Sequence, residues 1–283
     1  MTNGVINLYK EAGFTSHDVV AIVRRILKTK KVGHTGTLDP DATGVLPVCV
    51  GRATKFADHF AAKDKTYVAE VILGLETSTG DTSGEVLRTA GVIFCEKSIQ
   101  NAVNSFAGKE YMQVPPMYSA IKIKGQKLYE LARKGETIDR PARPVFIHQI
   151  QVTSFDASNN RFTIEVTCSK GTYIRSLAMD IGNKLGLPAT MGKLIRTRSG
   201  IFFIENAVTL SQLEERTQEL ITPIETLLPY PTLDLSGDKL KQAKNGNALT
   251  LDTSEERIWL ADSQVLIGLF KKEKNKFRPE VML

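Results

Sequence analysis

Val32-Gly33-His34-Thr35-Gly36-Thr37-Leu38-Asp39-Pro40-Asp41-Ala42-Thr43-Gly44-Val45-Leu46-Pro47 is the stretch on which the reading of this chain turns. Pro40 biases Asp39 away from helical dihedrals, and Gly33, Gly36 and Gly44 let the backbone come close to a ligand. A carboxylate is thereby held at a constrained turn. An aspartate closing an Asx-turn satisfies that description without any chemistry. Three functional readings satisfy it too. Asp39-x-Asp41-x-Thr43 has the spacing of a phosphotransferase nucleophile motif of the haloacid-dehalogenase type, but that motif should follow a buried hydrophobic strand, and Leu38 is the one apolar residue between Gly33 and Asp39. An Asp-x-Asp pair can hold a metal, as in a glycosyltransferase. Gly33-x-x-Gly36 fits the RNA-clamping loop of a KH module.

Outward from this stretch, the chain has globular composition: 283 residues, 42% hydrophobic and 24% charged. That length suits one large domain, or one domain with a small appendage. The formal charge is +6, from 37 Lys and Arg against 31 Asp and Glu, which is compatible with an anionic partner. Much of the excess lies in Lys122 to Arg143, where seven basic residues face three acidic ones. Such a run is either a solvated face or a surface for a phosphate backbone. Cys49, Cys95 and Cys168 are too scattered for a disulfide framework or a zinc site, and His17, His34, His59 and His148 form no ligand pattern, so no metal is expected. Nowhere do about 18 apolar residues run together, and the start lacks a basic region followed by a long apolar one, so a soluble cytoplasmic protein is expected.

Periodicity predicts a strand at 4–9 and a helix capped by Ser16, with Val19, Ile22, Val23, Ile26 and Leu27 on one face. The Gly- and Pro-interrupted segment 31–51 reads as a substantial ordered loop, followed by a short helix at 52–62. Residues 66–73 form a strand apolar on both faces apart from Glu70, hence central in a sheet. A turn segment at 76–84, a helix at 98–106, strands at 145–155 and 161–168, and a helix at 172–185 closed by Gly186 follow. Residues 113–143, with Pro115-Pro116 and a helical stretch near 128–134, read as an excursion from the core. Strands and helices do not alternate regularly, so the fold class is α+β with a largely antiparallel sheet. Leu228 to Leu235, with Pro229 and Pro231, reads as a linker into a final piece with strands near 258–261 and 264–270.

The whole Asp39 segment closely resembles the signature loop of bacterial tRNA pseudouridine-55 synthases of the TruB type. Thr66-Tyr67, Thr77-Ser78-Thr79-Gly80-Asp81, Pro115-Pro116-Met117-Tyr118-Ser119-Ala120 and Ser169-Lys170-Gly171-Thr172-Tyr173-Ile174-Arg175 are similar to that family's remaining blocks, in the same order. The resemblance implies a pseudouridine-synthase fold, with a mixed sheet flanked by helices, across residues 1–230. It also implies an inserted thumb at about 113–143 and a small PUA-like RNA-binding module at 231–283. The last assignment has little support from charge, with nine basic against eight acidic residues from Thr232 onward.

The implied reaction isomerises uridine 55 in the T-loop of tRNA, with Asp39 as nucleophile at ribose C1' or uracil C6. Arg175 would be its ion-pair partner, keeping the carboxyl ionised. Tyr67 would stack on the flipped base and serve in the later proton removal, while Tyr173 and Leu194 would form further walls of the uracil pocket. His34 would fill the space vacated by flipped T-loop bases. Lys122, Lys124 and Lys127, with Arg140 and Arg143, would contact phosphates. No cofactor is implied, the partner is the T-arm of tRNA, and a monomer is expected. Asp41 departs from the apolar residue common at this place in the family and is expected to point outward or be paired. Two other functions remain open on the residues: an RNA-binding folding chaperone without chemistry, and the phosphotransferase.

Overall fold

The computed structural model describes every residue except Met1, Thr2, Ala120, Lys124, Thr137 and Gln218. The first half of the chain runs β1 (Gly4–Lys10), α1 (Ser16–Ile26), β2 (Val32–His34), β3 (Thr43–Val50), a 3-10 turn Gly51–Phe56 leading into α2 (Ala57–Ala61), and β4 (Lys65–Leu73). A hairpin of β5 (Leu75–Thr77) and β6 (Val86–Thr89) precedes α3 (Glu96–Asn104) and β7 (Lys109–Gln113). Next come a two-residue hairpin, β8 (Lys122–Ile123) with β9 (Gln126–Lys127), and α4 (Leu128–Arg133). The long strands β10 (Arg143–Asp156) and β11 (Arg161–Cys168), helix α5 (Ile174–Leu185), β12 (Ala189–Ser199) and β13 (Phe202–Phe203) complete the main body. Short helices α6 (Leu210–Glu215) and α7 (Ile224–Leu227) lead to β14 (Thr232–Asp234), α8 (Gly237–Lys244), β15 (Arg257–Asp262), β16 (Val265–Glu273) and β17 (Lys276–Met282).

One sheet organises the molecule, in the order β1-β3-β12-β4-β11-β10-β7, with β2 on β3 and β13 on β12. All its pairings are antiparallel except the short parallel contact between β12 and β3. β4 is central, as its apolar sequence predicts. Tyr67, Ala69 and Val71 of β4 pack with Phe162, Ile164 and Val166 of β11 against Ile99 and Val103 of α3 and Leu177 and Ile181 of α5. The opposite side of β11, with Thr163, Glu165 and Thr167, stays half-buried, so the strand alternates as a one-sided sheet requires. On the other flank, Ile6, Leu8, Leu46 and Val48 cover Val19 and Val23 of α1. Each such fully buried Val, Leu, Ile or Phe contributes about 1.5–3 kcal/mol. Among the described residues no helix is long and apolar enough to cross a membrane.

Four readings of the sequence need correction. Thr15, not Ser16, caps α1: its side chain accepts from Asp18 N and the Asp18 carboxylate binds back to the Thr15 N–H, a reciprocal capping box. Residues 31–51 are a loop only at 35–42, because Gly44 and Pro47 are accommodated within β3. The strand β12 was not anticipated, since Lys193, Arg196 and Arg198 obscure its alternation. The final piece contains β14, α8 and β17 in addition to the expected strands. Its four-stranded sheet β14-β15-β16-β17 has a core of its own around Leu249, Leu260 and Phe270. It is also joined to the main body: Trp259 packs on Phe56, and its indole N–H donates to Leu228 O at 2.9 Å.

Between β7 and β10 the chain leaves the main sheet and returns to it, with Gln113 and Arg143 as register partners at the root.

Candidate active site

Asp39 lies in the 35–42 loop, and buried polar groups hold that loop from three sides. Ser16, 1% exposed, accepts from Leu38 N at 2.9 Å and donates back to Leu38 O at 3.3 Å. Lys10, fully buried at the end of β1, donates its ammonium to Pro40 O at 2.8 Å, Phe14 O at 2.6 Å and Glu11 O at 3.0 Å. Arg196 of β12 donates Nε to Val45 O at 2.7 Å, Nη2 to Gly36 O at 3.2 Å and Nη1 to Thr37 O at 3.5 Å. The loop closes on itself through Ala42 N and Asp39 O at 3.1 Å. Gly44 is required where the loop enters β3: its φ is +104°, and a Cβ there would run into the Arg196 backbone.

Arg175, the second residue of α5, reaches this loop from the opposite side. Its Nε lies 3.1 Å from Asp39 Oδ2 and its Nη2 3.3 Å from Asp39 Oδ1, a two-point grip. Nη2 also donates to Tyr118 O at 2.7 Å and Nη1 to Thr79 O at 3.0 Å, while Asp81 Oδ2 lies 3.6 Å from Nη1. The guanidinium is buried, whereas 39% of the Asp39 side chain is open to solvent. The arrangement therefore presents one carboxylate, with its orientation fixed by the guanidinium, to solvent.

The expectation that a cation holds the Asp39 pKa low is corrected in its balance. Burial pushes Asp39 above the usual carboxylate range; Arg175 and the more distant Lys10 pull it back, and Asp81 pushes it up again. Asp81 itself is lowered: burial opposes ionisation, but hydrogen bonds from Ser83 and Thr79 and the charge of Arg175 outweigh it. Lys10 is pulled down to about 8 by burial, against the attraction of Asp41 and Asp39. Asp41 is exposed, as its expected outward orientation requires.

Tyr67 and Leu194 are buried in the same apolar cluster as Leu38 and Ala42, which flank Asp39 in sequence. Burial raises the Tyr67 phenol, against the neighbouring Arg196 guanidinium. Tyr173, half-buried, precedes α5 and feels the charges of both Arg175 and Asp39. His34 is lowered to about 4 by burial, then by His17 and Arg196. Its Nδ1 accepts from Gly36 N at 3.2 Å, which leaves a neutral ring with its proton on Nε2, and His17 packs edge-on against it at 5.4 Å. Arg175 thus contacts Asp39 directly, Tyr67 and Tyr173 lie close enough to feel its charge, Leu194 shares the apolar cluster that includes Leu38, and His34 stands at the start of the same loop. Lys122 and Lys127 are register partners in the excursion hairpin, away from the sheet. Lys124 falls outside the described residues.

Sequence reasoning missed Lys10, Ser16, Arg196 and Asp81 as parts of the site. Lys10 reads as the start of a turn and Ser16 as a cap, because burial of a lysine or a serine is the exception. Arg196 is hidden in an unrecognised strand. Asp81 stood in a matched block without a role, and only the geometry shows it behind Arg175.

The model of the N-terminal domain of TruB family pseudouridylate synthases matches residues 24–174, and that of the tRNA pseudouridylate synthase B C-terminal domain matches residues 175–229. The tRNA pseudouridine synthase B of Bacillus licheniformis is 46% identical over 275 residues, covering 91% of this chain and 89% of its own length. That of Streptococcus gordonii is 42% identical over 287 residues, 98% of either chain. Among solved structures, a chain of a Cbf5-Nop10-Gar1 complex superposes with a TM-score of 0.71 at 29% identity, covering 99% of this chain and 84% of that one. A chain of an H/ACA RNP bound to a substrate RNA containing 2'-deoxyuridine gives 0.69 at 26% identity, with 99% and 84% covered. A carboxylate gripped from behind, the sheet that carries it, and matches across both halves of the main body agree: the chain belongs to the TruB family of pseudouridylate synthases.

Proposed function

We propose that this enzyme converts uridine 55 in the T-loop of tRNA to pseudouridine, with Asp39 as nucleophile. The observation that carries the reading is the two-point grip of buried Arg175 on the half-open Asp39 carboxylate. The reaction breaks the bond between uracil N1 and ribose C1', rotates the base and joins C5 to C1'. A proton leaves C5 and one is taken up at N1, so no electrons or phosphate are exchanged. A carboxylate nucleophile, aimed and ionised, matches that requirement.

The target base must leave its stack at a cost of a few kcal/mol. Tyr67 stacks on it, Tyr173 and Leu194 wall the pocket, and neutral His34 occupies the space that flipped loop bases vacate. The basic excursion at 113–143 closes on the T-arm, where Lys122, Lys124 and Lys127 meet phosphates. Residues 231–283 act as a PUA-like RNA-binding module beside a catalytic domain at 1–230, and an apolar cluster of their own around Leu249, Leu260 and Phe270 supports that division. The enzyme works as a monomer in the cytoplasm.

A T-arm transcript carrying tritium at uridine C5 tests the reading. Wild type releases the label as water without cleaving or phosphorylating the RNA. Asp39→Ala loses release by on the order of 10⁴-fold or more, while still binding the transcript. Unchanged release by Asp39→Ala would remove it as nucleophile; binding without release by wild type would favour the chaperone.

A further inference from the structure

Gln113 ends β7 where the excursion departs, and it is 2% exposed. Its side-chain amide closes both backbone polar groups of Tyr173 across a separation of 60 residues. Oε1 accepts from Tyr173 N at 2.8 Å, and Nε2 donates to Tyr173 O at 3.1 Å. Nε2 also donates to the Tyr111 hydroxyl at 2.6 Å, and that hydroxyl is in turn hydrogen-bonded to Asp180 of α5. The amide therefore mimics a strand partner for one residue of backbone. It is the Tyr173 N–H that needs such a partner, since Tyr173 stands at the N-cap of α5 with no side-chain cap and its carbonyl already accepts from Leu177 N at 3.0 Å.

Two neighbouring bonds enter the same region. Ser176 Oγ donates to Val114 O at 2.9 Å, and Arg175 Nη2 donates to Tyr118 O at 2.7 Å. Residues 113–118 and 173–176 are thereby latched together. One member of the latch, Arg175, also grips Asp39. Another, Tyr173, faces the same charges.

We propose that Gln113 is a positioning residue for the isomerisation, holding Tyr173 and the first turn of α5 against Asp39 and tying them to the root of the excursion. It acts through Tyr173 and Arg175, and it is placed outside the uracil pocket itself. This rests on the reading of Tyr173 as a wall of that pocket. Removing the latch leaves the Tyr173 N–H without its partner, while Tyr173 O keeps the helical bond from Leu177 N, and lets the aromatic wall and the Arg175 fork drift relative to Asp39. A misplacement of about 1 Å is enough to cost on the order of 100-fold in rate.

The test compares wild type with Gln113→Met, which keeps the volume and loses all three bonds, and Gln113→Glu, which keeps the acceptor for Tyr173 N and loses the donors. Single-turnover tritium release, transcript affinity and thermal midpoint are measured on each. Gln113→Met should release tritium about 10- to 100-fold more slowly and Gln113→Glu about 3- to 10-fold, as expected for two or three lost hydrogen bonds. Affinity for the transcript should stay within about 3-fold, a kcat loss without a matching binding loss. A merely structural role predicts a lower midpoint with full turnover by the folded fraction, and that result overturns the proposal. If Gln113→Met does not fold, the ordering of Gln113→Glu below wild type carries the test alone, and equal rates overturn it. Failure of wild type to release tritium would instead sink the reading of the site, which this comparison keeps separate.

Discussion

Residues 35–42, which carry Asp39, and residues 114–142, which we propose close on RNA, are tied to the body in different ways. The first segment is held along its length by Ser16, Lys10 and Arg196, all nearly or fully buried. The second departs and returns between the register partners Gln113 and Arg143 and is joined to α5 at its root, through Val114 and Tyr118. On the proposed roles, the difference follows the physics of what each would have to do. A nucleophile gains from preorganisation inside a low-dielectric frame, where each fixed bond has its full effect. Charges that meet a phosphate backbone act through screened, sequence-independent attraction and need reach more than rigidity.

The strongest way to break this contrast is Arg175→Met. It removes the fork on Asp39 and leaves Asp39 and Asp81 near each other without their shared cation. Turnover should fall by on the order of 10²- to 10³-fold. The acid limb of the pH–rate profile should also move. Burial and Asp81 raise Asp39 while Arg175 lowers it, so without Arg175 the pKa climbs further and activity is lost at a higher pH as the solution is acidified. An unmoved acid limb, read from tritium release across the pH range, would separate Arg175 from Asp39 ionisation.

A smaller loss is expected from Ser16→Ala, which strips Leu38 N of its partner inside the protein. An unsatisfied buried donor of this kind costs about 1–3 kcal/mol. Urea unfolding should show that drop with an unchanged slope, and turnover should fall because Leu38 is the residue before Asp39. Wild-type stability would mean that water replaces the hydroxyl and that the loop is less tightly framed than its bonds imply.

The smallest effect sharpens the other half of the comparison. In Lys122→Ala/Lys127→Ala, fold stability should be unchanged and transcript affinity reduced by about 10-fold at moderate salt. The slope of log affinity against log salt should flatten by about 1.4–1.8 for two lost phosphate contacts. An identical salt slope would assign both lysines to solvent.

Much of the frame was legible in the sequence because it follows simple periods. The strand at β4, the helix at α5 with its Gly186 closure and the β10–β11 hairpin are apolar patterns bounded by turn residues, and they fold where those patterns place them. The polar frame of the site was not legible, for one physical reason repeated. Lys10, Ser16 and Arg196 are residues that ordinarily face water, and each is turned inward to satisfy backbone carbonyls or amides of an irregular loop. Nothing in a residue's type announces such a partner; it lies 22 to 160 positions away. β12 went unread for the same reason, since its inward arginine breaks the alternation that marks a strand. Asp39 and Arg175 were singled out only through the family's blocks, and the geometry then supplied Asp81 behind them.

Two of the clamps on the Asp39 loop come from far along the chain, Arg175 by 136 residues from Asp39 and Arg196 by 160 from Gly36. At a synthesis rate of about 5–20 residues per second, a nascent chain carries the loop for roughly 7–30 s before either arginine has been made. During that interval β1, α1 and β3 can pair among themselves, but Gly36, Thr37 and Val45 have no guanidinium to bind. Catalytic competence is therefore a late event in the life of each molecule, gained when the second half of the sheet docks beside the first, and a truncated chain ending before β12 would carry the signature loop without a working site.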